Sequence, residues 1–148
     1  MKKILFVCTG NTCRSPMAEG IMRSLAEKNG LDLEVSSAGL FTRSGLTISE
    51  NSLEAMKNIG VDMSDFRSTS ITDINIDDID HFVTMTPEHK SALVSVFGVS
   101  DEKIYVLFEE NGGVADPYGG SILRYLQCRD EIAEGVETLM ERLVENGN

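Results

Sequence analysis

The sequence predicts an α/β fold built on a parallel sheet, in a single domain covering residues 1–148. Two observations carry this. Four short apolar runs, Lys3–Cys8, Leu33–Ser37, His81–Met85 and Ile104–Phe108, alternate with stretches of helical period, which is the pattern of βαβ units. No internal repeat, low-complexity tract or Pro/Gly-rich linker divides the chain, and 148 residues suit one domain with a real core.

Taken in order, Lys3–Cys8 is the most hydrophobic run and therefore the candidate for a central strand, covered on both faces. The two lysines before it imitate a secretory leader. Ile4–Val7 is only four residues long, however, and the polar Thr9-Gly10-Asn11 follows at once, so the segment reads as a buried strand of a cytoplasmic protein. Ser15-Pro16 places a capping residue before a proline at the start of the first helix, where Met17, Ile21 and Leu25 recur every fourth position. After the second strand, Thr47-Ile48-Ser49-Glu50 fits a capping box ahead of a helix carrying Leu53 and Met56. Thr86-Pro87 opens a third helix. The last runs from about Ser121 to Glu145, with Ile132, Val136, Leu139 and Leu143 as a stripe that packs against the sheet. Residues 39–48 and 109–120 are long loops, where sites usually sit.

Composition narrows the function classes. Residues 1–67 carry eight basic and eight acidic side chains. Residues 68–148 carry five basic against sixteen acidic, so this half holds the whole net charge of −11. An acidic surface of this kind argues against nucleic acid or an anionic membrane as partner, and no apolar run approaches 18 residues. Three cysteines without a CxxC do not make a disulfide scaffold. His81 and His89 stand alone in sequence, so no metal site is expected.

The chemistry concentrates in Cys8-Thr9-Gly10-Asn11-Thr12-Cys13-Arg14-Ser15, between the first strand and the first helix. Ligands of open parallel sheets bind at the carboxyl ends of strands. A strand-loop-helix turn there presents backbone N–H groups and the positive end of a helix dipole to an anion. Five residues between Cys8 and Arg14 are enough to wrap one tetrahedral oxyanion, and Arg14 can fork onto two of its oxygens. The same groups favour a nucleophilic thiolate at Cys8, to which the Ser15 hydroxyl can donate. Gly10 and Asn11 are residue types that tolerate left-handed backbone. The loop lacks the Gly-Lys-Ser/Thr ending of a nucleotide-binding P-loop. A nucleophile of this kind needs a general acid for its leaving group, and Asp116, stiffened by Pro117 in Asp116-Pro117-Tyr118-Gly119-Gly120-Ser121, is the candidate.

Cys8 to Pro16, combined with Asp116-Pro117 and with Ser37-Ala38-Gly39 after the second strand, resembles the low-molecular-weight protein tyrosine phosphatase family over essentially the whole chain. The resemblance implies a four-stranded parallel sheet with helices on both faces. It implies Cys8 as nucleophile passing through a phosphocysteine, Arg14 as transition-state stabiliser, and Asp116 as acid and then base. Thr9, Gly10, Asn11, Thr12, Cys13 and Ser15 would hold the phosphate or the loop. No cofactor or metal is implied, and the partners would be phosphorylated proteins. The sequence departs from the wider family in residues 41–50 and 66–72.

Within that family the chain is most similar to the protein-arginine-phosphatase branch. Members specific for phosphotyrosine commonly carry a large aliphatic residue where this chain has Thr12. An aliphatic group packs on a phenyl ring, whereas a threonine can orient water or a guanidinium. Gly119-Gly120 also leave the rim without bulk beyond Tyr118. Phosphoarginine is therefore the expected substrate, with phosphotyrosine the alternative. Arsenate reduction, which some relatives perform, relays a disulfide through cysteines after the third strand, and Thr84-Met85-Thr86-Pro87-Glu88 has none. Cys128 falls in the last helix and is expected to be buried. A silent phosphate-binding or redox-sensing module would not need Cys8, Arg14 and Asp116 together. Because Cys8 and Cys13 share one tight loop, a reversible disulfide between them is expected under mild oxidation; the alternative is that Cys13 packs inward beneath the loop.

Overall fold

In the computed structural model, which describes residues 1–145, four parallel strands form one sheet. They are β1 (Lys2–Cys8), β2 (Leu33–Gly39), β3 (His81–Thr84) and β4 (Ile104–Val106), in the order β2-β1-β3-β4. β1 is interior, as its continuous apolar run requires. Ile4, Phe6 and Cys8 face one layer and Leu5 and Val7 the other, all with almost no exposure. Each such large side chain contributes about 1.5–3 kcal/mol on burial. The loop that follows β1 is thus mounted on the most firmly held strand of the molecule.

The helices α1 (Arg14–Lys28), α2 (Glu50–Lys57) and α4 (Ile122–Glu145) cover the Ile4/Phe6 face, and α3 (Pro87–Ser95) covers the other. β2 and β3 lie on opposite sides of β1. The strand order therefore switches direction at β1, and the crevice beyond its carboxyl end is where such sheets bind ligands. Cys8 pairs in register with Gly39 at that end.

Several local expectations are corrected. The first helix begins at Arg14 with Cys13 as its cap, so Ser15 and Pro16 lie inside the first turn. Ser15 cannot cap because its hydroxyl is committed to the site. The second helix starts at Glu50 with Ser49 as cap, and the Thr47–Glu50 capping box does not form. Here the Ser49 backbone N–H instead donates to the Thr12 carbonyl at 2.9 Å. Thr86 does cap α3, accepting from His89 N at 3.2 Å. β4 stops at Val106 because Phe108 turns to φ 60°. The α4 stripe packs on α1 and α2 and meets the sheet layer through the shared core with Ile4, Phe6 and Val83.

Candidate active site

The Cys8 loop is gripped from outside by its carbonyls. Leu40 N–H donates to Cys8 O (3.0 Å), Phe41 N–H to Thr9 O (3.1 Å) and Ser49 N–H to Thr12 O (2.9 Å). The Asn11 amide turns inward and donates to Cys8 Sγ at 3.3 Å. No acidic side chain occupies the first turn of α1, where it would repel an anion. The turn of β2 presses so close that a Cβ on Gly39 would come within 2.8 Å of Thr9 O. Only glycine fits there.

Beneath the loop, the direction of every proton follows from one fixed donor. Thr69 N–H donates to Asn11 Oδ1 (2.8 Å), which settles the orientation of this fully buried amide. Asn11 Nδ2 then donates to Ser15 Oγ (2.7 Å) and to Ser37 Oγ (2.9 Å). Ser37 passes its own hydrogen to Glu19 Oε1 (2.7 Å), a carboxylate whose other oxygen meets Arg23 at 2.8 Å. Ser15, an acceptor from Asn11, keeps its own hydrogen, and a thiolate at Cys8 Sγ, 2.8 Å away, can only accept it. Cys8 therefore receives two hydrogen bonds, one O–H and one N–H. That arrangement suits a thiolate, whose extra charge strengthens both. Asn11 adopts φ 55°, as its residue type allows, whereas Gly10 keeps a negative φ, contrary to expectation.

Arg14 is buried and held through NH1 by the Val114 carbonyl at 2.8 Å. Val114 is itself pinned by its N–H to Met85 O at 2.6 Å. The neighbouring Gly113 adopts φ 91°, where a Cβ would strike the same Met85 oxygen. The rest of the loop is then free to bring Asp116 over the cavity. Its Oδ1 accepts from Tyr118 N–H (3.0 Å), and its Oδ2 stands 3.8 Å from Arg14 NH2 on a half-exposed side chain. Residues Cys8 to Arg14, Asp116 and Tyr118 enclose a cavity of about 210 Å³. A thiolate at the floor, a guanidinium at the wall and a carboxyl at the mouth can together attack, stabilise and protonate.

All the residues singled out from sequence thus meet at one place. Thr12 is half-buried on the rim, with its hydroxyl making only a 4.0 Å contact to Cys13 Sγ. Tyr118 is 80% exposed beside it. Cys13 turns into the core, 3.4 Å from Ser49 Oγ and 3.6 Å from Tyr125 OH, so a bond to Cys8 requires it to leave both contacts. All three cysteines are free thiols. Burial pushes the Cys128 thiol up to about 12, which makes it unreactive.

Sequence reading missed the supports. Thr69, Glu19 and Val114 carried no signal of their own. His89, read as isolated, lies against Thr9: its Nε2 is 2.9 Å from Thr9 Oγ1. A histidine in the first turn of a helix that follows a neighbouring strand was the available clue.

The family model for low molecular weight phosphotyrosine protein phosphatase matches residues 3–148. A protein-arginine-phosphatase of Bacillus subtilis is 39% identical over 144 residues, covering 95% of each chain. A low molecular weight protein-tyrosine-phosphatase PtpB of Staphylococcus haemolyticus is 41% identical over 134 residues, covering 88% of this chain and 91% of that one. Among solved structures, a YwlE mutant from Bacillus subtilis superposes with a TM-score of 0.90 at 37% identity, covering 97% of this chain and 99% of that one.

Proposed function

The chain belongs to the low molecular weight phosphotyrosine protein phosphatase family, and within it we propose that this protein removes phosphate from phosphoarginine side chains of cytoplasmic proteins. The observation that carries the choice of substrate is Thr12. Its hydroxyl stands at the inner rim of the cavity, half-buried and without a short partner among the described residues, where it can accept from a guanidinium N–H or orient a water. The relative from Bacillus subtilis named as a protein-arginine-phosphatase supports the same reading.

The proposed reaction follows from the positions of three side chains. The Cys8 thiolate attacks phosphorus in line with the leaving nitrogen. Negative charge on the equatorial oxygens is met by Arg14, whose guanidinium Val114 holds in place. Asp116 gives its proton to the departing guanidine nitrogen as the P–N bond breaks, leaving a phosphocysteine. Water then attacks that phosphorus while the Asp116 carboxylate takes its proton, and the S–P bond breaks to return the thiolate and release phosphate. The Ser15 and Asn11 hydrogen bonds stabilise the sulfur both as nucleophile and as leaving group.

Phosphotyrosine is the second reading, favoured by the exposed Tyr118 ring, which offers a stacking surface to a phenyl group. The purified protein assayed side by side on phosphoarginine and phosphotyrosine peptides decides between them. A higher kcat/KM on phosphoarginine is expected. A preference for phosphotyrosine returns the protein to the tyrosine reading, and no turnover of either peptide or of p-nitrophenyl phosphate would mean a silent module.

A further inference from the structure

His89 has no part in the reaction just described, yet it is buried against the loop. It is the third residue of α3, with its backbone N–H capped by Thr86. Because β3 lies beside β1, the start of α3 stands next to the Cys8 loop, and the imidazole reaches across to Thr9 Oγ1 at 2.9 Å. Its other nitrogen, Nδ1, is buried with no hydrogen-bond partner among the described residues. Three charged groups act on the ring: Arg14, which disfavours protonation, and Glu88 and Asp116, which favour it. Burial outweighs all of them and, with Arg14, lowers its pKa to about 4.

A neutral ring has one N–H to place. On Nδ1 it would be a buried donor without an acceptor, whereas a bare Nδ1 lone pair is the lesser loss. On Nε2 it meets Thr9 Oγ1 directly. The hydroxyl of Thr9, once it accepts from His89, has its own hydrogen left to give. Thr9 lines the same cavity as Cys8, Arg14 and Asp116, and its backbone is fixed there by Phe41 N–H.

We infer that His89 is a positioning residue of the Cys8 loop: its Nε2–H donates to Thr9 Oγ1 and so directs the Thr9 hydroxyl hydrogen at the phosphoryl group held in the cavity. This rests on the reading of that cavity as a phosphate site. His89 acts through Thr9 and touches no substrate. A protonated ring would keep the Thr9 contact and add an unpartnered Nδ1–H.

Two measurements test it. Nitrogen-15 NMR of the imidazole in the wild-type protein, from pH 5 to 8, should show a neutral Nε2–H tautomer throughout. An Nδ1–H tautomer, or an imidazolium at pH 7, overturns the inference without any variant. The second is a double-mutant cycle on kcat/KM. Thr9→Val and His89→Phe should each lower it by about three- to tenfold, the worth of one hydrogen bond. The double variant should fall no further than the worse single one, because both remove the same contact. His89→Gln keeps a donor amide near the Nε2 position and should recover to within about twofold of wild type. Losses that multiply, or a His89→Gln as impaired as His89→Phe with an unchanged melting temperature, refute a role through Thr9. If His89→Phe does not fold, Thr9→Val and His89→Gln still decide: a full-activity Thr9→Val refutes it. A wild type inactive on every phosphorylated substrate would sink the functional reading instead, and the tautomer would still decide the His89 contact.

Discussion

Asn11 offers the sharpest test of how the loop is held. The side chain is fully buried, makes three hydrogen bonds of 2.7 to 2.9 Å, and sits at φ 55°. Removing it forfeits those bonds, at about 1 kcal/mol each net, and leaves the Thr69 N–H without its acceptor. Alanine at left-handed φ adds about 1–2 kcal/mol that glycine escapes. The expected losses are therefore about 3 kcal/mol for Asn11→Gly and about 4–5 kcal/mol for Asn11→Ala. At an ordinary position the order is reversed, glycine being worse than alanine by about 0.5–1 kcal/mol. Urea denaturation of the wild type and both variants reads the two differences directly. At about 2–4 °C per kcal/mol, Asn11→Ala should melt on the order of 10 °C below wild type. An Asn11→Ala protein more stable than Asn11→Gly, or either within about 1 kcal/mol of wild type, refutes both the strained backbone and the network.

Further outcomes follow from the site. Cys8→Ser should abolish turnover yet still bind phosphate or tungstate by calorimetry, and Arg14→Lys should lose about 3 kcal/mol or more of transition-state stabilisation; wild-type-like turnover in Cys8→Ser would end the phosphocysteine proposal. Asp116→Asn should slow a phenyl phosphate, with a leaving-group pKa of about 10, far more than a nitrophenyl one, and equal slowing would make Asp116 structural. Thr12→Ile keeps the β-branch but leaves a polar substrate group unpaired, so the kcat/KM ratio of phosphoarginine to phosphotyrosine should fall at least about tenfold; a ratio indifferent to the swap removes Thr12 from substrate choice. Mild peroxide should link Cys8 to Cys13 reversibly, faster in Tyr125→Phe, which frees Cys13 from one of its contacts; mass spectrometry showing sulfinic Cys8 with Cys13 reduced would contradict this.

The groups proposed to react were legible because they are written contiguously or beside a strong punctuation mark. Cys8 and Arg14 sit in one loop between a recognisable strand and helix, and Asp116 is flagged by Pro117. The interior place of β1 followed from its unbroken apolar run. The supports were not legible, because each depends on which strands become neighbours, and periodicity records faces rather than neighbours. Ser37 reaches Asn11 because β2 flanks β1, Thr69 because its carbonyl pairs with Gly39 N–H at the end of β2, and His89 reaches Thr9 because β3 flanks β1 on the other side. Ser15 shows a competing demand. Local chemistry favours it as a helix cap, but the site takes its hydroxyl, and the helix starts two residues earlier with Cys13 as its cap.

The clamp between Arg14 and the Val114 carbonyl spans 100 residues of sequence. During synthesis the Cys8 loop leaves the ribosome well ahead of the carbonyl that steadies Arg14 and of the Asp116 carboxyl. A chain that stops before Val114 thus carries the Cys8 thiol without the Arg14 clamp or the Asp116 carboxyl. Under the proposed mechanism, a translation product cut short before Val114 would have no phosphatase activity to misdirect.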